Sequence, residues 1–254
     1  MRFAPGGPRL RIRELTGYDE QSVRDWSTAT AIGLLDRVVE DPTGASWRSA
    51  SLTPADRDRL LAGVYRVTYG SRVSTTSGRG QCGSLFDLSF SLNDLLDAVD
   101  RTPLPENVET LEGGVYLSEG VTFRLPTGED EIAVAGLPAG EGEQALVARC
   151  IAGAPGIEAY AAVEQIIEEM APMLDLDIDT ACPECGAKQK VRFDVQYYLL
   201  RSLEQERKQI AREIHRLASA YQWSLAEILS LRRSERRAFV ELIESESAAR
   251  RRLS

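Results

Sequence analysis

Cys182-Pro183-Glu184-Cys185-Gly186 opens the stretch whose reading decides the fold, and the chain beyond it runs as Ala187-Lys188-Gln189-Lys190-Val191-Arg192-Phe193-Asp194-Val195. Cys-x-x-Cys-Gly has the shape of a zinc knuckle. Pro183 favours the turn, and Gly186 allows backbone amides to point at the second sulfur. One pair supplies only half of a tetrahedral ligand set, so a free thiol pair in a turn and a redox pair are the competing readings. A redox Cys-x-x-Cys should open a helix. Here Lys188, Lys190 and Arg192 alternate with Gln189, Val191 and Phe193, which is the period of a strand.

An internal repeat extends this reading. Cys82-Gly83 is followed by Phe90-Ser91-Leu92 at the same spacing as Cys185-Gly186 by Phe193-Asp194-Val195. Alternating segments, Val73-Ser74-Thr75-Thr76 and Leu174-Asp175-Leu176-Asp177-Ile178, precede the two units. Two knuckles, each between two strands, predict a zinc ribbon in which Cys82, Cys182 and Cys185 come within a few ångströms of one another. The residue matching Cys182 in the first unit is Arg79, so the set lacks a fourth knuckle sulfur. Cys150 is the remaining thiol, with nothing around it to support a ligand role. A held zinc and a weakened or lost one both stay open.

The chain has 254 residues, 43% of them apolar, enough to fill one or two cores. It contains no run of about eighteen apolar residues, no signal-peptide core and no disulfide-like cysteine framework, which predicts a cytoplasmic protein. The net charge of −9 argues against generic nucleic-acid binding. That charge is uneven: after residue 200 twelve basic residues outnumber eight acidic ones.

The fold class read from these patterns is α+β. Residues 1–62 form an N-terminal strand (Leu10 to Leu15) and helices. Residues 63–200 form a ribbon-like β core with an insertion at 101–171, and residues 195–254 a C-terminal helical bundle or hairpin. Thr53 and Pro54 start a helix with Leu60, Leu61 and Val64 on its buried side, and Tyr65 to Tyr69 has strand character. Within the insertion, Val115-Tyr116-Leu117, Val121 to Leu125 and Ile132-Ala133-Val134 read as strands. Glu143 to Ile151 reads as a helix, as does the run from Pro155-Gly156 to Met170. Glu129, Asp130 and Glu131 read as a solvated acidic turn.

At the C-terminus, Leu199, Leu200, Leu203, Ile210, Ile214, Leu217 and Tyr221 form one helical stripe. Ser224 and Glu227 form a capping box, with Trp223 against Ile228 as its hydrophobic staple. The only histidine, His215, lies beside the stripe and reads as a surface or partly buried residue rather than a ligand. Arg232, Arg233, Arg236 and Arg237 begin a further helix. With Trp223 they are the candidate partner-binding residues, and Arg236 and Arg237 are expected on its solvated side.

No phosphate loop, His-Glu-x-x-His or nucleophile elbow occurs, and any His-dependent nucleophile would have to use His215. The expectation is therefore a protein that is not an enzyme and has no small-molecule substrate.

Phe123-Arg124-Leu125-Pro126-Thr127-Gly128-x-Asp130, the helix ending near Arg149-Cys150, and Cys182-Pro183-x-Cys185-Gly186 together carry a resemblance. So does the ending His215-x-Leu217-Ala218-x-x-Tyr221-x-Trp223-Ser224-x-x-Glu227-Ile228-Leu229. Across residues 9–245 the chain resembles the baseplate hub assembly proteins of contractile phage tails and phage-tail-like injection systems. The resemblance implies a chaperone or minor structural subunit whose partners are other baseplate, hub or tail proteins, with no membrane. The alternative is a zinc-ribbon/helix-turn-helix transcription regulator, whose four arginines would touch phosphates. Glu227 and Glu235, together with the acidic chain, count against it.

Overall fold

The structure is a computed structural model that describes residues 3, 10–44, 47–78, 82–83, 85–153 and 157–253. The first part runs β1 (Arg11–Ile12), α1 (Gly17–Ser22), α2 (Thr28–Val38) and β2 (Val39–Glu40), with β1 and β2 antiparallel. It continues through α3 (Pro54–Tyr69), the hairpin β3 (Arg72–Gly78) and β4 (Leu85–Ser91), and α4 (Leu92–Asp100). Thr53 caps α3 by accepting the Asp56 N–H at 3.2 Å, and Gly70, at φ +88°, ends it. The strand character read at Tyr65 to Tyr69 yields to this helix, because helical spacing is what buries Val64 and Tyr65.

After β5 (Glu109–Thr110) and β6 (Val115–Ser118) the same order of elements returns. β7 (Val121–Arg124), α5 (Gly128–Val134) and α6 (Ala139–Cys150) lead to Ile151, which bridges back to Phe123 as Val39 pairs with Ile12. Then come α7 (Ile157–Met170), the hairpin β8 (Asp175–Ala181) and β9 (Lys188–Asp194), and α8 (Val195–Gln205). Details repeat as well. Leu92 N donates to Ser71 O at 2.8 Å where Val195 N donates to Leu174 O at 3.0 Å. Val73 faces Phe90 in one hairpin, and Leu176 faces Phe193 in the other. Ser91 caps α4, and Asp194 caps α8. The segment read as an insertion is therefore mostly the front of a second copy of the first unit.

Each copy opens on one motif, Arg-x-x-Thr-Gly-x-Asp-Glu, at Arg13 to Glu20 and Arg124 to Glu131. Arg13 forks onto Asp19 at 2.6 and 3.0 Å, and Arg124 onto Asp130 at 2.6 and 2.9 Å. Thr16 and Thr127 each donate their N–H and hydroxyl to the same carboxylate, closing a capping box. The Nη2 of each fork also donates to a carbonyl, Arg37 O at 2.8 Å from Arg13 and Arg149 O at 3.1 Å from Arg124. This box makes a helix of residues 128–134, where strand at Ile132 to Val134 and a solvated turn at Glu129 to Glu131 were expected. Asp130 is buried, and Glu131 pairs with Arg57. Burial alone would raise the Asp130 pKa, but the bonds from Arg124, Thr127 and Arg149 outweigh it and hold the carboxyl below its usual range.

The chain ends in α9 (Arg207–Tyr221), α10 (Leu225–Ser230) and α11 (Arg233–Leu253). The single stripe read from Leu199 to Tyr221 is two helices, parted at Glu206. Among the described residues three apolar cores result. The largest joins α2, α3 and α8 with both hairpins, the second joins β6, β7 and α7, and the third lies among α9, α10 and α11. The boundary expected at residue 62 falls inside α3, and the first core runs across it.

Candidate metal centre

The tips of the two hairpins meet. Cys182 directly follows β8 and is buried, its N–H donating to Ala187 O at 3.0 Å while its carbonyl receives Gly186 N–H at 2.8 Å. That turn places exposed Cys185 beside it, with Gly186 at φ +71°. Gly83 occupies the matching position of the other tip at the same φ of +71°, a left-handed conformation that favours glycine. Phe90 and Phe193 meet edge to face, centroids 5.0 Å apart, and hold the two hairpins together.

This brings Cys82, Cys182 and Cys185 together as the sequence repeat predicts. Their sulfurs all lie within 4.8 Å of one another, with Cys82 and Cys182 at 3.6 Å. The three can hold a metal ion. A tetrahedral thiolate site with bonds of about 2.3 Å places its sulfurs roughly 3.8 Å apart, so the spacing suits one. The Ala187 N–H pulls the Cys185 thiol toward ionisation. The Cys82 hydrogen bond, desolvation and Cys182 together outweigh it, leaving the pKa raised. The Cys185 thiol therefore resists becoming a thiolate until a cation compensates it.

Among the described residues no other Cys, His, Asp or Glu joins this group, and Arg79, opposite Cys182 in the repeat, lies outside them. Cys150 does not supply the fourth ligand. It is buried at the end of α6 beside Arg124, Asp130 and Arg149, where burial raises its pKa to about 11. His215 is exposed.

The candidate partner-binding residues divide. Arg232 is exposed. Trp223 is half-buried, stacked on Tyr221 at 4.8 Å and edge-on to Phe239 at 5.1 Å in the small third core that also holds Ile228. The Ser224–Glu227 capping box stands as read. Arg233 and Arg236 are corrections. Arg236, expected in solvent, is 0% exposed. Its guanidinium pairs with Glu213 at 2.6 Å and with Glu20, while Arg233 pairs with Glu20 and Glu206. Arg237 is half-buried, 3.6 Å from Glu206 and 3.7 Å from Glu213. The basic face of α11 is therefore turned inward, because buried Glu20 and Glu213 must be compensated.

The Arg-x-x-Thr-Gly-x-Asp-Glu pair went unread in the sequence, although the string stands there twice. So did its counterpart. Leu52-x-x-x-Asp56-Arg57 and Leu231-x-x-x-Glu235-Arg236 each start a helix whose arginine reaches the motif's last glutamate, Glu131 or Glu20. Gly17 and Gly128 admit these contacts. A Cβ there would lie 2.7 Å from Leu229 Cδ2 or 2.6 Å from Ile32 Cδ1.

No protein-family model, curated protein or solved structure matches the chain. Among the described residues no helix is long and apolar enough to cross a membrane.

Proposed function

We propose that the protein is a non-enzymatic assembly factor or minor structural subunit of a contractile-tail or injection-system baseplate, working in the cytoplasm through contacts with other tail proteins. The three thiols hold zinc in a ribbon-like tie between the two hairpins. Supporting this reading is the way reactive groups are spent on architecture. The clustered thiols join two hairpin tips, and the buried charges clamp helices together. The residues that carry the family resemblance, among them Arg124 to Asp130 and Tyr221 to Glu227, are likewise capping boxes and helix contacts. Burial of Arg233 and Arg236 also takes two of four cations away from the regulator alternative.

The test is co-purification from cells expressing a whole tail gene cluster, with Arg232→Glu and Leu225→Ser combined. Both side chains are exposed, so the melting temperature should hold while recovery with a baseplate component falls. Wild-type co-purification and particle counts would count against this surface and the role. The metal is tested separately: about one zinc per chain is expected, lost in Cys182→Ser.

A further inference from the structure

The two copies differ in how their helix pairs are covered. In the first, α8 packs along α3, in the same core that buries α2. Its Leu199, Leu200 and Leu203 are buried in one cluster with Leu34, Leu61 and Val64, and Tyr198 meets Tyr65 at 5.8 Å. The repeated hydrogen bonds at Ser71 and Leu174 align Leu61, Val64 and Tyr65 with Glu164, Ile167 and Glu168 of α7. The guanidinium contacts at Arg37 and Arg149 align Ala31 and Leu34 with Glu143 and Leu146 of α6. These counterparts are not covered. They line an open groove of about 380 Å³, with Leu146, Val147, Ile167 and Met173 as apolar wall. Met173 is 44% exposed.

We infer that the α6–α7 groove is a docking site for one amphipathic helix of another protein, apolar along one edge and lysine- or arginine-rich beside it. The first copy shows the shape of the occupant, because the matching face there takes a helix with leucines spaced as Leu199, Leu200 and Leu203. The charge of the occupant follows from the changes between copies. Leu61 and Tyr65 of α3, which α8 packs against, and Ala31 of α2, buried in the same core, become Glu164, Glu168 and Glu143 at the groove. Among the described residues none of these three glutamates forms an ion pair. A helix bearing cations at its margins would answer them while its leucines cover Ile167 and Met173. The chain's own counterpart of α8 is engaged elsewhere. Leu92, Leu95, Leu96 and Val99 of α4 pack into the main core, and Asp100 pairs with Arg59.

This names the chemistry of one partner for the role proposed above and rests on that reading only for the existence of a partner. A peptide titration can therefore fail or succeed apart from the co-purification. Full-length protein is titrated with two labelled helical peptides that share the leucine spacing of α8, one flanked by lysines and one by glutamates, followed by fluorescence anisotropy. The lysine peptide should bind with an affinity that falls as salt rises, and at least about tenfold more tightly than the glutamate peptide. Glu143→Lys with Glu168→Lys, both exposed in wild type, should leave the melting temperature unchanged and reverse the preference. Absence of lysine-peptide binding, or binding that ignores the charge reversal, overturns the inference. So does concentration-dependent self-association abolished by Met173→Glu, which would make the occupant a second copy of the chain.

Discussion

The α2–α3 pair and the α6–α7 pair descend from one pattern of hydrogen bonds, yet one is closed and the other open. With α8 packed along α3, the first pair presents Ala31, Leu34, Leu61 and Val64, all buried. With no helix above it among the described residues, the second presents Glu143, Leu146, Glu164 and Ile167 at the same positions. The difference teaches that burial, not backbone, decides which copy keeps its leucines. The Arg–Asp fork, the capping threonine and the hairpin register are equal in both. On these helix faces, the leucine, alanine and tyrosine kept in the core give way to glutamates where the face is open.

The largest expected effect sharpens the comparison at the two motif glutamates. Arg236→Leu leaves buried Glu20 with Arg233 alone and Glu213 with only the more distant Arg237, and should cost about 3–5 kcal/mol in denaturant unfolding. Arg57→Leu releases Glu131, whose side chain is 22% exposed, and should cost roughly 1.5–3 kcal/mol. Equal losses would mean that the two clamps are not buried differently. The Arg236→Leu result also bears on α11, since a near-neutral change would restore the solvated helix that the sequence pattern suggested.

Next comes the apolar face itself. Leu61→Ala should cost about 2–5 kcal/mol, as for a fully enclosed leucine. Ile167→Ala, at the open groove, should cost about 1 kcal/mol or less, because solvent already reaches the site. Unfolding curves with equal midpoint shifts would break the comparison.

A smaller and pH-dependent effect belongs to the seam between copies. Asp58 of α3 accepts the Leu174 N–H of the second copy at 2.9 Å. Burial, against the pull of Arg57, pushes its carboxyl up to about 7, with Asp194 and Glu131 adding to the rise. A raised carboxyl favours the protonated fold. Its stability contribution is complete below about pH 4 and is lost as pH climbs through 7. Asp58→Asn keeps an acceptor for Leu174 and has no charge to bury. It should match wild type near pH 4 and exceed it at pH 8 by on the order of 2–4 kcal/mol. A variant no more stable than wild type at pH 8 would show that the seam accommodates the ionised carboxylate.

Much of the candidate centre was legible because it depends on local spacing. Cys82 and Cys185 stand at fixed distances from Phe90 and Phe193, and Cys82, Cys182 and Cys185 come together as read. The α+β class, the cap at Thr53, the capping box at Ser224 and the hairpin strands follow from the same short-range rules. What spacing within one window could not deliver was the identity of residues 121–171 as a second copy. The two units share few residue types outside Arg-x-x-Thr-Gly-x-Asp-Glu, and the groove face had diverged from leucine to glutamate. Arg236 was misplaced for a related reason. On its own helix it sits among charged neighbours, and the carboxylates that bury it, Glu20 and Glu213, come from α1 and α9. Tyr65 to Tyr69 went astray because aromatic and β-branched residues suit strands until a partner helix covers them.

Native-state hydrogen exchange tests the covered-versus-open contrast most directly, since both helices are read in one sample. The amides of Leu60 to Tyr65 in α3 should exchange only with global unfolding, and those of Val163 to Glu168 in α7 through cheaper local opening, roughly tenfold to a hundredfold faster. Equal protection in the two helices, or faster exchange in α3, would contradict the account.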